Sequence, residues 1–379
     1  MIDATDTGTA ATATRFDTDT RTHRDLDRQG STLRRTLEQL QATELPDAVL
    51  SAPRFVFTGC GSSYYAGLSA ATLLSTLSDR TAIGVPSSEL WLLPDTYLSP
   101  GSVVVGVSRT GTTTEVVRAL EIARERSLPT VALSLADTAP LLDLATAPIA
   151  LRHVGEEGRV MTQSFSNLLL AGQWLAAAVS RADGDPRGGP YPAGFTALVD
   201  AVDRLLPDLE AVAARIAARQ HGHYVLLGSG PTSAVCAEGV LKLQEMTQLP
   251  SESVAALEYR HGPIAGLSAR TALILASTPA TAPYDRILAA DAVTLGHRPI
   301  VLAPSGSGGF PAEAELVELP AELPDWLWPN LYLPFFQYLS WHRTMLLGKD
   351  PERVNNLDKT TSPVVDPHVV DLPPGPIRG

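Results

Sequence analysis

Two apolar runs in different halves of the chain end in the same glycine-X-glycine turn and then open a helical pattern. Residues 54–58 lead into Gly59-Cys60-Gly61, and residues 223–227 lead into Gly228-Ser229-Gly230. Further apolar runs follow each: 102–108, 130–135 and 148–153 in the first half, and 271–277, 299–303 and 315–319 in the second. Strands that alternate with helices build βαβ units, whose parallel strands are covered on both faces and so read as unbroken apolar runs. The pattern pauses at residues 181–194, a polar Gly/Pro-rich stretch that reads as a linker, and then restarts. Two copies of one α/β fold are therefore expected, and 379 residues suffice for two cores. The expected bounds are an unstructured Thr/Asp-rich start (1–25), a helix over 26–40, a first domain over 26–185, and a second over 186–350. An apolar helix near 331–347 precedes a closing tail over 351–379.

Composition narrows the function. The chain is 44% apolar but only 6% aromatic, which suits strands sandwiched by helices. A net charge of −12 disfavours nucleic acid or an anionic membrane as partner, and an anionic ligand would have to be met by local donors. Lysine occurs only as Lys242, Lys349 and Lys359. Two cysteines, Cys60 and Cys236, make no disulfide framework, and no metal-type Cys/His spacing exists. The polar start does not read as a leader, so none is expected, and no run of ~18 apolar residues stands uninterrupted. Residues 326–341 come nearest, broken by Pro329, Asn330, Pro334 and Gln337. A soluble, cytoplasmic protein without metal or organic cofactor is expected.

Two turns of the first half are rich in hydroxyls: Thr58-Gly59-Cys60-Gly61-Ser62-Ser63 and Ser108-Arg109-Thr110-Gly111-Thr112-Thr113. Each follows a strand and opens a helix, where free backbone N–H groups and the helix dipole favour an anion. In a parallel sheet such turns lie at the carboxyl ends of the strands, where ligands bind. Ser and Thr there also serve as ordinary N-caps, so either reading stands. A dinucleotide site is disfavoured, because the next glycine after Gly61 is Gly67 and no acidic residue ends the strand expected near 81–85.

A second constellation lies downstream. On a helix, Glu238, Lys242 and Glu245 share one face, and His261 stands before Gly262-Pro263, in a turn. A carboxylate beside an ammonium can act as a base, and an imidazole exchanges protons near neutral pH. The alternative is an ordinary surface ion pair and a loop histidine.

Taken together, these residues resemble the SIS (sugar isomerase) family, and more closely its double-domain enzymes. Those are the isomerase half of glutamine–fructose-6-phosphate aminotransferase and the SIS-type amino-sugar-phosphate deaminase/isomerases. The resemblance runs from about residue 29 to 359 and implies two tandem flavodoxin-like domains, each a three-layer αβα stack on a parallel sheet. Cys60-Gly61-Ser62-Ser63 is similar to the family's first sugar-phosphate loop. Ser108 to Thr113 resembles its Ser-x-Ser-Gly-x-Thr loop, with Thr110 in place of the second Ser. Met161-Thr162-Gln163-Ser164-Phe165 is similar to the deaminase branch. The resemblance thus implies substrate contacts from Cys60, Gly61, Ser62, Ser63, Ser108, Arg109, Thr110, Thr113 and Thr162.

It further implies that Glu245 moves a proton between C1 and C2 of the sugar, with Lys242 in support. His261, supplied by a partner subunit, would open the ring, and Lys359 would cover the bound sugar and could form a Schiff base. A homodimer with a shared site is therefore expected, and the aromatic 326–341 region is a candidate interface. Two departures favour deamination or isomerisation over amidotransfer. No cysteine follows Met1, so ammonia from glutamine is not expected, and residues 162–166 lack a lysine of the aminotransferase's loop. A hexose or hexosamine 6-phosphate is the expected substrate. A fructosamine-phosphate deglycase and a non-catalytic sugar-phosphate sensor remain as alternatives.

Overall fold

The computed structural model describes residues 19–357. The first half carries β1 (Arg54–Gly59), β2 (Thr81–Pro86), β3 (Ser102–Ser108), β4 (Thr130–Ser134) and β5 (Ala147–Ala150). The second carries β6 (His223–Gly228), β7 (Ser251–Ala255), β8 (Thr271–Ala276), β9 (Ile300–Pro304) and β10 (Glu315–Leu319). All pairings are parallel, in the orders β2-β1-β3-β4-β5 and β7-β6-β8-β9-β10. The two orders are the same, so the expected α/β class and its duplication hold. β7 was not foreseen: its Ser251-Glu252-Ser253 start is polar because it lies at the sheet edge, half-covered.

Each sheet buries one face under its own outer helices and turns the other toward a common interior. Val56, Val104 and Leu120 form the outer layer of the first half, and Val225, Leu273 and Leu288 that of the second. Phe57 and Phe165 of the first half join Leu226, Phe336 and Trp341 of the second in one continuous core. The helices Gln29–Gln41, Ser62–Leu77, Gln163–Ala182, Tyr191–Ala217, Pro231–Thr247 and Trp328–Leu346 all pack into it.

Three expectations change. Residues 21–25, expected without structure, lie in the helix Arg21–Asp27, whose Thr20 hydroxyl accepts from His23 N–H at 3.1 Å. That helix exists because it buries Leu26 and Asp25. A second helix, Gln29–Gln41, follows directly. The supposed linker 181–194 is mostly helical: Gln163–Ala182 enters it and Tyr191–Ala217 starts inside it. The 326–341 region is not an exposed interface either. Tyr332, Phe335, Phe336 and Trp341 are buried within the chain, in a helix at the centre of the shared core. No helix among the described residues is long and apolar enough to cross a membrane.

Candidate active site

Both hydroxyl-rich turns of the first half sit at strand ends, as their sequences suggest. After β1, Gly61 takes φ 54°, and Ser62 and Ser63 form the buried first turn of the helix Ser62–Leu77. After β3, the Ser108 hydroxyl accepts from Gly111 N–H at 3.1 Å and lies 2.9 Å from the Thr113 hydroxyl. The Thr110 and Thr112 hydroxyls are 2.9 Å apart on the open side of the same turn. Gly111 is required here: its φ is 66°, and a Cβ would stand 2.5 Å from that of Ala139. Hydroxyls and helix N-termini thus ring a position suited to a phosphate. Cys60 supplies no nucleophile, since burial pushes its thiol up to about 12, assisted by the Glu115 charge.

The second half reaches this ring through the helix Pro231–Thr247, which packs on Ser62–Leu77. Lys242 is completely buried, and its Nζ donates to Ser62 Oγ at 3.2 Å. The same ammonium pairs closely with Glu245 and lies 3.4 Å from Glu238 Oε1. The face read from the sequence is therefore real, but it is an interior face rather than a surface one. Burial pushes the fully enclosed Glu238 carboxyl up to about 8, Lys242 draws it back, and Glu245 adds to the rise. Burial also pulls the Lys242 ammonium down, yet the two carboxylates outweigh that and hold it above the ordinary lysine value. Burial thus favours the protonated form of Glu238. Glu245, with its side chain 19% exposed, is the one of the two carboxylates that reaches solvent.

A residue not singled out in the sequence, Glu156, organises the third segment. Only 3% exposed, it accepts from Thr162 N–H at 2.6 Å and the Thr162 hydroxyl at 2.8 Å, and from the Ser164 hydroxyl. These bonds fix the start of the helix Gln163–Ala182. Arg109 also turns to Glu156, at 3.4 Å. Arg109 and Thr162, both expected to hold substrate, are thus brought together but engaged by one carboxylate. The signal was faint: an acid placed shortly before a Thr-Gln-Ser helix start.

Residues 49–178 and 218–315 match the SIS domain. The chain belongs to the SIS domain family. A glutamine–fructose-6-phosphate aminotransferase [isomerizing] of Pyrobaculum aerophilum is 29% identical over 335 residues, covering 86% of this chain and 54% of that protein. The chain spans about half the length of the curated relatives it matches. Among solved structures, a glucosamine-6-phosphate deaminase from Thermotoga maritima is 25% identical with a TM-score of 0.75, covering 90% of this chain and 99% of that one. The C-terminal domain of a Francisella tularensis glucosamine-fructose-6-phosphate aminotransferase shares the fold at a TM-score of 0.79 and 17% identity, over 88% and 98% of the two chains.

In SIS terms, both hydroxyl-rich turns lie in the first domain, and the helix carrying the acid–base groups Glu238, Lys242 and Glu245 lies in the second. His261 ends a short 3-10 turn, Ala256–His261, with its side chain exposed, and no hydrogen bond or ion pair joins it to Glu245. Lys359 lies outside the described residues. The chain that leads to it packs at Val354 and Leu357 against Val160 and Met246, the neighbour of Glu245. Lys349 donates to the Thr247 carbonyl and to Gln248, closing the end of the acid–base helix. A cleft of about 500 Å³ is lined by Thr110 and Arg109 of the Ser108 turn together with Arg159 and Glu352. Its lining includes Arg109 and Thr110 but not Ser62, Lys242 or Glu245.

Proposed function

We propose that the chain interconverts the aldose and ketose forms of a hexose or hexosamine 6-phosphate, releasing ammonia when C2 carries an amine. The observation that carries this reading is the 3.2 Å contact between Lys242 Nζ and Ser62 Oγ. It ties Glu245, on one domain, to an anion-binding turn on the other. Ser62, Ser63, Ser108, Thr110 and Thr113 hold the phosphate together with the backbone N–H groups of their turns. Arg109, on the same turn and partly exposed beside Glu156, is available as a further contact to the substrate.

His261 of a second copy opens the sugar ring, and Lys359 closes over the open chain. Glu245 takes the C2 proton, leaving an enediol or enolamine, and returns it to C1. With an amine at C2 the product is a ketimine, which water converts to a ketose phosphate and ammonia. Lys242 is a positioning residue: being buried, it acts by holding the Glu245 carboxylate in place. The likeness to the Thermotoga maritima deaminase supports the amine-releasing branch.

Incubation with glucosamine 6-phosphate, galactosamine 6-phosphate, fructose 6-phosphate and a fructosamine 6-phosphate, with ammonia and ketose measured, tests the assignment. Equal yields of ammonia and ketose phosphate from one hexosamine phosphate are expected. Turnover of the fructosamine alone would replace the reading with deglycation, and no turnover of any would remove it. Gel filtration that finds an active monomer would remove the shared role of His261.

A further inference from the structure

The two domains pair their strands in the same register. Arg54 of β1 pairs with Ser102 of β3, and His223 of β6 pairs with Thr271 of β8. Counting along from these pairs, Gly230 corresponds to Gly61, Thr232 to Ser63, and Ser277 to Ser108. The second domain therefore carries its own pair of turns at the strand ends, each opening a helix: Pro231–Thr247 after β6 and Ala282–Thr294 after β8.

These turns are already filled. Ala280 N–H donates to Asp325 Oδ1 at 2.8 Å, and the Thr278 hydroxyl donates to Asp325 Oδ2 at 3.2 Å. One carboxylate oxygen takes a backbone N–H and the other a hydroxyl, at a helix start, as a bound oxyanion would. The next residue, Trp326, covers the glycine turn: a Cβ on Gly230 would meet its ring at 3.4 Å. The equivalent Gly61 has open space over the same position. Inside the second domain, the completely buried Thr232 hydroxyl has no hydrogen-bond partner among the described residues. It is a polar group on the first helical turn, at the position where Ser63 stands in the open site.

We propose that the second domain retains an oxyanion site of the same construction, whose resident ligand is the chain's own Asp325 carboxylate, capped by Trp326. Removing that carboxylate exposes a site for inorganic phosphate or a phosphate monoester. The plug leaves one open sugar-phosphate site per chain in a duplicated fold. The inference rests on the fold's duplication and on reading the first-domain turns as phosphate-holding.

The experiment counts inorganic phosphate bound per chain by calorimetry and follows Tm against phosphate concentration. It compares the wild type, Asp325→Ala, Asp325→Asn, and Asp325→Ala combined with Thr278→Val. Asp325→Ala is expected to melt below the wild type without phosphate, and to regain most of the loss as phosphate rises, because a ligand of the folded state stabilises it by mass action. It should bind one phosphate more than the wild type, and Thr278→Val should abolish that gain. Should Asp325→Ala not fold, the near-isosteric Asp325→Asn decides by the same count. An unchanged phosphate stoichiometry in the soluble variant, or a gain that survives Thr278→Val, overturns the proposal. The readout is a difference from wild type. A failure of the first-domain reading would show separately, as a wild type that binds no phosphate.

Discussion

Glu238 and Glu245 stand four and three residues from the same lysine, yet their surroundings give them different states. Glu238 is sealed in, with no well-aligned hydrogen bond to either oxygen, whereas the Glu245 side chain is partly exposed. The folded chain thus prefers Glu238 protonated up to about pH 8, while in the unfolded chain it ionises near its ordinary value of 4.5. Between these values the native state binds more protons, so this group makes stability fall as pH rises, and the full loss is present above the folded pKa. Glu238→Gln should therefore gain on the wild type across that window, by an amount on the order of a few kcal/mol at the alkaline end. Denaturant unfolding at acid, neutral and alkaline pH checks this, and a difference that does not vary with pH contradicts it. The helical spacing made this face legible, but not its burial. Burial depends on packing against the helix Ser62–Leu77 of the other domain, which no local pattern reports. Glu156 was missed for the same reason: its partners, Arg109 and Thr162, come from separate segments and had each been read alone as ligands.

Among the elements, the anion turns were the most readable parts, because glycine and hydroxyl residues there answer a backbone demand. That demand differs between the two turns. At Gly111 a side chain meets both a left-handed φ and Ala139, whereas at Gly61 it meets only the φ. Gly111→Ala should thus cost about 1–3 kcal/mol of stability and distort the Ser108 turn. The KM for the phosphorylated substrate should then rise by at least about tenfold, the loss of one good phosphate contact. Gly61→Ala, with open space around it, should shift Tm less. Thermal melts with steady-state kinetics test the pair, and an unaltered KM in Gly111→Ala would contradict the role given to that turn. The elements that escaped the sequence reading are those whose residues look polar or irregular in isolation. β7 is an edge strand, and the Arg21–Asp27 helix is held by a threonine cap and a few buried side chains.

At the scale of the molecule, duplication was legible because every central strand carries its own apolar run. The union of the two halves was not. A Gly/Pro-rich stretch suggested an interdomain linker, and helices on both sides of it enter one core, together with the aromatic helix Trp328–Leu346. That shared core lets a helix of the second domain deliver Lys242 to a turn of the first. Proton transfer by Glu245 over phosphate held by the first domain is the centre of the account. Its most direct test is Glu245→Gln, which keeps the side chain's shape and removes the base, measured for kcat and for inorganic phosphate affinity in the same preparation. The account predicts that kcat falls by about 10²–10⁴-fold while phosphate binds as in the wild type. An unchanged kcat would contradict it.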